Sequence, residues 1–436
     1  MHWPLHYWVH PLLPAAVLLA PTPPGGGGDT STTSELKVDE SKVTLWLFAE
    51  THSNYFEWVT EQYTSEHPDV QFDIQVMDTT AMNDRLAVII TAGGEGTPDL
   101  IDMEQGQFPL YMNEEKMFFE PLNDRMEADG ILDKMVENRL SLYSYNGNYY
   151  GIEHALCPVT MAYRPDLFEQ AGIEVPTTWD EYKAAAEKFA EEGIYIATMG
   201  DLVSGFSDDI DLYLKASGNS YVNEDGTTNI VGNDALKNML DDVLYMQQND
   251  MILPVETDED RWNAIAADEV ATYYTPDWAA GWLRDNVPEQ SGMWKMAYLP
   301  QYDSNSARTS CSGGTGFCMS SYTKKDKDML WDFMKYAMIQ TDNVVKKYEM
   351  INLYPPVYEA MPLCNGPVEY YDNQVLGDLY TELAEEMPKQ NQAPWRGKFS
   401  ESFKNYSYDW VEGNMTTDEL LQAVQDDVDA YIAELG

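Results

Sequence analysis

From Val43 to Met103 the chain alternates two hydrophobic patterns, and that alternation restricts its fold more than any other feature. "VTLWLF", Val43 to Phe48, is a short unbroken apolar run, as in a strand buried on both faces. Tyr55, Val59 and Tyr63 then recur at helical spacing, and the helix they predict stops before Pro68. Val70, Phe72, Ile74 and Val76 alternate as in a second strand. Met82, Leu86, Ile89 and Ile90 share one face of a second helix, stopped by Gly93 and Gly94. "PDLIDM", Pro98 to Met103, is a third strand. Strand, helix, strand, helix, strand predicts a parallel sheet with crossover helices. Such sheets bind ligands beyond the carboxyl ends of their strands, where Glu50, Thr51, Glu104 and Gln105 fall.

A second α/β unit is expected after "NGNYYGIEHALCPVTMAYR". Thr178 and Glu181 form a capping box for the helix "WDEYKAAAEKFAEEG", which Gly193 ends. Thr416 and Glu419 start a final amphipathic helix carrying Leu421, Val424, Val428 and Tyr431. No internal repeat is visible. At 436 residues the chain exceeds one ordinary core, so two lobes are expected.

"TYYTPDWAAGW", Thr272 to Trp282, packs two tyrosines, two tryptophans, a proline and an aspartate into eleven residues. It reads as a strand, Ala271 to Tyr274, that ends abruptly and presents Asp277 and Trp278 on a turn before a helix. An indole beside a carboxylate suits a sugar ring, whose C–H face stacks while its hydroxyls hydrogen-bond. Exposed-looking aromatics are more often core, and Trp46 (in a strand) and Trp179 (in a capping box) are read that way.

The chain has 74 acidic and 26 basic residues, a net charge of −48. That balance works against nucleic-acid and anionic-membrane partners and favours a neutral or cationic ligand. Four cysteines, Cys157, Cys311, Cys318 and Cys364, show no CxxC pair and no metal spacing. Cys311 and Cys318 could bridge on adjacent turns, but buried free thiols are expected. "LLPAAVLLA", Leu12 to Ala20, has the length of an export segment, and "GGGGDTSTTSE", Gly25 to Glu35, reads as a tether. No Lys or Arg precedes the apolar run, the first basic residue being Lys37, and the cysteine of a bacterial lipoprotein is missing before the tether. No stretch is long and apolar enough for a transmembrane helix.

The order of motifs resembles the maltose-binding-protein-like family of extracellular solute-binding proteins of bacterial carbohydrate ABC importers. "VTLWLF…EQYTSEHPDVQFDIQV", "LAVIITAGGEGTPDLIDM" and "FFEPLND" carry the resemblance in the first part. "NGNYYGIEHAL…MAYRPDLFEQAGIEVPTTWDEY" is its most specific piece, marking in that family the first crossing between lobes. "ADEVATYYTPDWAAGW" is similar to the family's strand leading to a ligand-stacking aromatic. "GGTGFCMSS" and "LYPPVYEAM" resemble its second and third crossings.

The resemblance implies two α/β lobes joined by three crossing segments around a ligand cleft. The lobes would comprise residues 42–155 with 312–356 and residues 156–311 with 357–436, after an export and tether segment, 1–41. It implies a monomer outside the cell, tethered or periplasmic, that delivers a neutral oligosaccharide to a membrane permease by hinge closure. The carried-over contacts are Glu50, Glu104, Gln105, His154, Asp277, Trp278, Thr315, Trp395 and Arg396. The bland readings are a solvated loop end for Glu104 and Gln105, an ordinary ion pair for Arg396 and a structural role for His154.

Two rival readings fit the same residues. A polyamine would suit the charge and the Trp/Asp pairing, and paired carboxylates with tryptophans also build glycosidases. No nucleophile elbow, Walker loop, GxGxxG after a strand or HExxH is present. "NEDG", Asn223 to Gly226, reads as a hairpin turn and fails the calcium-loop spacing. No catalytic residue, metal or cofactor is expected. The sugar's identity is assigned to loops around 201–221 and 390–400.

Overall fold

A computed structural model describes residues 40–113 and 117–435. All but the last two residues of the expected export and tether segment lie outside the described residues. The first strands and helices follow the sequence pattern: β1 (Val43–Leu47), α1 (Glu50–Glu66), β2 (Phe72–Val76), α2 (Thr79–Thr91) and β3 (Leu100–Glu104). Helix α1 buries Tyr55, Val59 and Tyr63 on one face, as their spacing requires. Asp78 caps α2 by accepting the Ala81 N–H at 2.8 Å, and Gly93 and Gly94 turn the chain away at φ of 70° and 90°. Strand β1 pairs in parallel with β2 and β3.

Five later strands build the rest of the frame: β4 (Gly151–Glu153), β5 (Val159–Tyr163), β6 (Thr272–Pro276), β7 (Lys295–Ala297) and β8 (Thr315–Met319). The first sheet runs in the order β2-β1-β3-β8-β4. It is therefore mixed rather than wholly parallel, because β8 pairs antiparallel with both β3 and β4. The chain reaches β8 on its return from the second sheet and enters from the opposite end. That second sheet, β6-β5-β7, is antiparallel. Beside it Ala197–Gly200 and Ile252–Val255 pair in parallel, the α/β element expected there.

Helices α3 (Trp179–Glu191), α4 (Asp208–Ala216), α5 (Thr341–Ile351), α6 (Arg396–Val411) and α7 (Thr417–Leu435) cover these sheets. The Thr178/Glu181 capping box is formed. So is the one before α7: Glu419 accepts the Thr416 N–H at 2.9 Å, and its own N–H reaches Thr416 Oγ1 at 3.2 Å. One core gathers Tyr55, Phe56 and Val59 with Phe317 and Phe333. Another joins Trp179, Tyr182, Phe399, Trp410, Leu421 and Val428. Trp46 and Trp179 are buried packing residues, their indole N–H groups satisfied by Gln75 and Asp242.

Residues 154–158 lead from the first sheet to the second, and residues 298–314 lead back. The segment after α5 is tied to the first of them, Leu156 N–H donating to Tyr354 O at 2.8 Å, and the two crossings meet where Val159 N–H, at the start of β5, donates to Ser310 O at 3.2 Å. All four cysteines are buried and free. Arg139, Arg164 and Lys347 are also buried, three of the chain's few cations.

Candidate functional site

The carboxyl end of β3 meets the start of β8, and their register sets the first group of candidate residues together. Thr315 stands opposite Glu104, and the Gln105 N–H donates to Gly314 O at 3.0 Å. Glycine is needed in this crossing for space. A Cβ on Gly314 would lie 2.8 Å from Arg139 Nη2, and one on Gly313, whose φ is 77°, would lie 3.0 Å from Trp278 Nε1. Glu104 Oε2 accepts the Gly106 N–H at 2.8 Å. Burial raises the Glu104 pKa and Asp208 adds to the rise, while Arg396 opposes it. Glu104 thus lies within electrostatic reach of residues at the start of α4 and of α6.

Trp278 approaches the same crossing from the second sheet. Pro276 ends β6, and residues Asp277–Ala279 form one tight helical turn. The half-buried indole donates its N–H to Ser312 O at 3.0 Å, which fixes the plane of the ring. Trp282, partly exposed, meets it edge-on at 5.0 Å. Four candidates, Glu104, Gln105, Thr315 and Trp278, are therefore linked through residues 312–315.

Arg396 opens α6 within a cluster that the sequence reading did not assemble. Its Nε donates to Tyr221 Oη at 3.1 Å, its Nη1 to Gln392 Oε1 at 2.7 Å, and Nη2 lies 3.6 Å from Asp211. Lys215 pairs with the same Asp211 at 2.7 Å. Arg396, Asp211, Lys215 and Tyr221 line a groove of about 570 Å³. A second groove, of about 830 Å³, is walled by Tyr145 and Asn146 on one side and by Thr227, Gln392 and Trp395 on the other. Trp395 is itself buried and donates its indole N–H to Gly226 O at 2.9 Å. Residues 223–226 make the expected hairpin turn, with Gly226 N–H bonded to Asn223 O at 2.9 Å. Glu50 stands exposed at the first position of α1.

The remaining two candidates have internal contacts. His154 is 1% exposed, with Nε2 2.7 Å from Asp102 Oδ1, and His52 Nδ1 holds Oδ2 of the same carboxylate at 2.6 Å. Burial pushes the His154 pKa down to about 4. Burial works to raise Asp102, but the two imidazoles outweigh it and hold the carboxylate ionised. The nitrogen and oxygen atoms of His52, Asp102 and His154 lie within 4.8 Å of one another, close enough to hold a metal ion. Lys347 Nζ, bonded to His154 O at 2.7 Å, would set a positive charge beside such an ion. Asp277 is equally enclosed, its oxygens accepting the N–H groups of Trp278 at 2.8 Å and Tyr354 at 3.0 Å. His154 thus ties the first crossing to β3, and Asp277 ties the turn after β6 to Tyr354.

These features, two sheets joined by hydrogen-bonded crossings with grooves between and beside them, define a two-lobe binding-protein fold. The chain belongs to the bacterial extracellular solute-binding proteins, whose family model matches residues 58–377. It is 24% identical over 414 residues to the arabinooligosaccharide-binding protein of Halalkalibacterium halodurans, covering 90% of each chain. It is 22% identical to the lactose-binding protein of Rhizobium radiobacter, over 84% of this chain and 87% of that one. Among solved structures, the sugar-binding protein MalE of Xanthomonas citri superposes with a TM-score of 0.75 at 18% identity, over 90% of this chain and 98% of that one. Among the described residues no helix is long and apolar enough to cross a membrane.

Proposed function

We propose that this protein binds a neutral oligosaccharide in the cleft at residues 312–315 and passes it to the transmembrane permease of an ABC importer. The cleft lies between lobes of residues 42–155 with 312–356 and residues 156–311 with 357–436, which close on the ligand by a hinge motion. Glu104, Gln105, Thr315 and Glu50 offer hydrogen bonds to hydroxyls. Trp278 offers the stacking face, and Trp395 and Arg396 form the opposite wall. His154 and Asp277 hold the crossings in place. The protein acts as a monomer outside the cell, tethered or periplasmic, without nucleic-acid partners and without chemistry on the sugar.

The observation that carries this reading is the pairing of Thr315 with Glu104 at a strand end, with Arg396 and Asp208 in electrostatic range. Relatives that bind arabinooligosaccharides and lactose support the sugar. In the groove beside Arg396, Lys215, Lys389 and Arg396 match Asp211, Glu224 and Asp303 in number, so it offers a polyamine no excess of carboxylates to hold. The test is thermal unfolding against arabinooligosaccharides, lactose, maltooligosaccharides and polyamines, since a ligand selective for the folded state raises the midpoint. A rise with a glycan series is expected. A rise with polyamines alone overturns the ligand, and release of reducing ends in proportion to protein overturns the absence of catalysis.

A further inference from the structure

The two grooves beside Arg396 share a boundary. Glu224, Lys389, Gln390 and Asn391 line both. At this join Gln390 is 5% exposed, and neither its amide nitrogen nor its carbonyl oxygen has a hydrogen-bond partner among the described residues. Gln392 next to it is 8% exposed and is half satisfied: Arg396 holds its oxygen, while its amide nitrogen is unpartnered among the described residues. Buried polar groups in folded proteins are almost always paired, so two neighbouring carboxamides that break the rule demand a cause.

The surroundings point to a ligand rather than to looseness. Asn391 Nδ2 donates to Val222 O at 2.9 Å and anchors the segment. Trp395 is fixed to Gly226, and Arg396 to Tyr221. The carboxamides are thus held on a pinned stretch of chain. A carboxamide presents two donors and an acceptor side by side, which matches the donor and acceptor character of sugar hydroxyls and matches a fixed charge poorly. The charged residues at the join, Lys389 and Glu224, lie 3.5 Å apart and offset each other, leaving the join close to neutral. Each groove alone has the size of a site for a small ligand.

We infer that the two grooves form one extended track, in which Gln390, with Gln392 beside it, reads the hydroxyls of a neutral glycan at the join and selects chains long enough to cross it. This inference rests on the proposed function and deepens it: the ligand is a linear oligosaccharide rather than a mono- or disaccharide. Gln390 becomes the residue that sets the length preference.

The experiment is titration calorimetry of the full chain with arabinooligosaccharide and maltooligosaccharide ladders of about two to six units, for wild type, Gln390→Ala and Gln390→Leu. Wild type should bind the longest member of one ladder at least about ten-fold more tightly than the shortest. Gln390→Ala should weaken the longest about ten-fold or more and the shortest less than about two-fold, so that the length dependence flattens. The sugar-free Gln390→Leu protein should melt no lower than wild type, because it removes an unpaired buried amide. A structural role for Gln390 would lower that midpoint. A flat length dependence in wild type, equal weakening at every length, or unchanged binding by Gln390→Ala each overturns the inference while leaving the proposed function standing. No binding by wild type to any member of either ladder overturns the inference; if lactose and the other glycans of the thermal panel also give no shift, the proposed function falls with it.

Discussion

Arg139 Nη2 and Glu153 Oε2 stand 3.0 Å apart where β4 runs into the first crossing, both side chains essentially without solvent contact. The other carboxylate oxygen accepts the N–H of Thr315, the first residue of β8, at 2.8 Å. One carboxylate therefore ties the strand that leaves the first sheet to the strand that returns to it. Arg139 also reaches Gly313 O at 3.1 Å and Ala155 O at 3.2 Å. Removing the cation leaves a buried, unpaired carboxylate, so Arg139→Met should destabilise the protein by about 3–5 kcal/mol. The double variant Arg139→Met with Glu153→Leu should recover part of that loss. Urea denaturation of the three proteins checks both statements.

Asp277 makes stability depend on pH in a definite direction. Burial pushes its pKa up to about 7, against the ordinary 3.8. The folded state therefore binds a proton that the unfolded state releases between those values. The contribution is fully present below the unfolded value and is lost as pH rises through about 7, by about 1.4 kcal/mol for each pH unit across the window. His154, lowered to about 4 by burial, has the opposite slope between its folded and unfolded values. Asp277→Asn should remove the Asp277 contribution and keep that of His154, so its stability should rise more steeply between pH 5 and 7 than that of wild type. Chemical denaturation at several pH values measures the difference.

Trp278→Ala should weaken binding of the glycan found in the thermal panel by about 1–3 kcal/mol, as expected for a stacked aromatic anchor. Calorimetry reads the loss directly. Unchanged affinity would show that the half-buried indole serves packing against residues 312–313 alone.

Gly377 lies within a helix, where a Cβ would collide with the backbone carbonyl of Cys364. Backbone cannot step aside as a flexible side chain does. Gly377→Ala should therefore cost at least about 1–3 kcal/mol despite the usual helical advantage of alanine. Thermal unfolding of the variant tests this.

The parts legible in the sequence were those fixed by neighbours along the chain. The alternation from Val43 to Met103, both capping boxes and the turn at Asp277 depend on spacing of a few residues, and the structure contains them, although the strand expected over Ala271–Tyr274 runs on through Pro276. The groove residues depend on distant partners. Tyr221 and Arg396 touch although 175 positions separate them. Gln390 differs from any loop glutamine only in being buried without a partner, which no spacing reveals. His154 was singled out by its place near the first crossing and Asp277 as the carboxylate beside Trp278, and neither position tells a ligand contact from a buried clamp. Their near-zero exposure and protein partners emerge only from the packed fold.

The enclosure of Arg139, Arg164 and Lys347 together with buried carboxylates has a colloidal consequence. Asp99, Asp102, Glu153, Asp211 and Asp277 are buried as well, so enclosure removes charges of both signs and the surface keeps nearly the whole excess of 74 acids over 26 cations. Two copies approaching one another meet like charge over about 10 Å at 0.1 M salt. Concentrated solutions should therefore stay dispersed at low ionic strength and lose that mutual repulsion as salt is added, because burial inside the fold leaves the acidic excess on the outside almost intact.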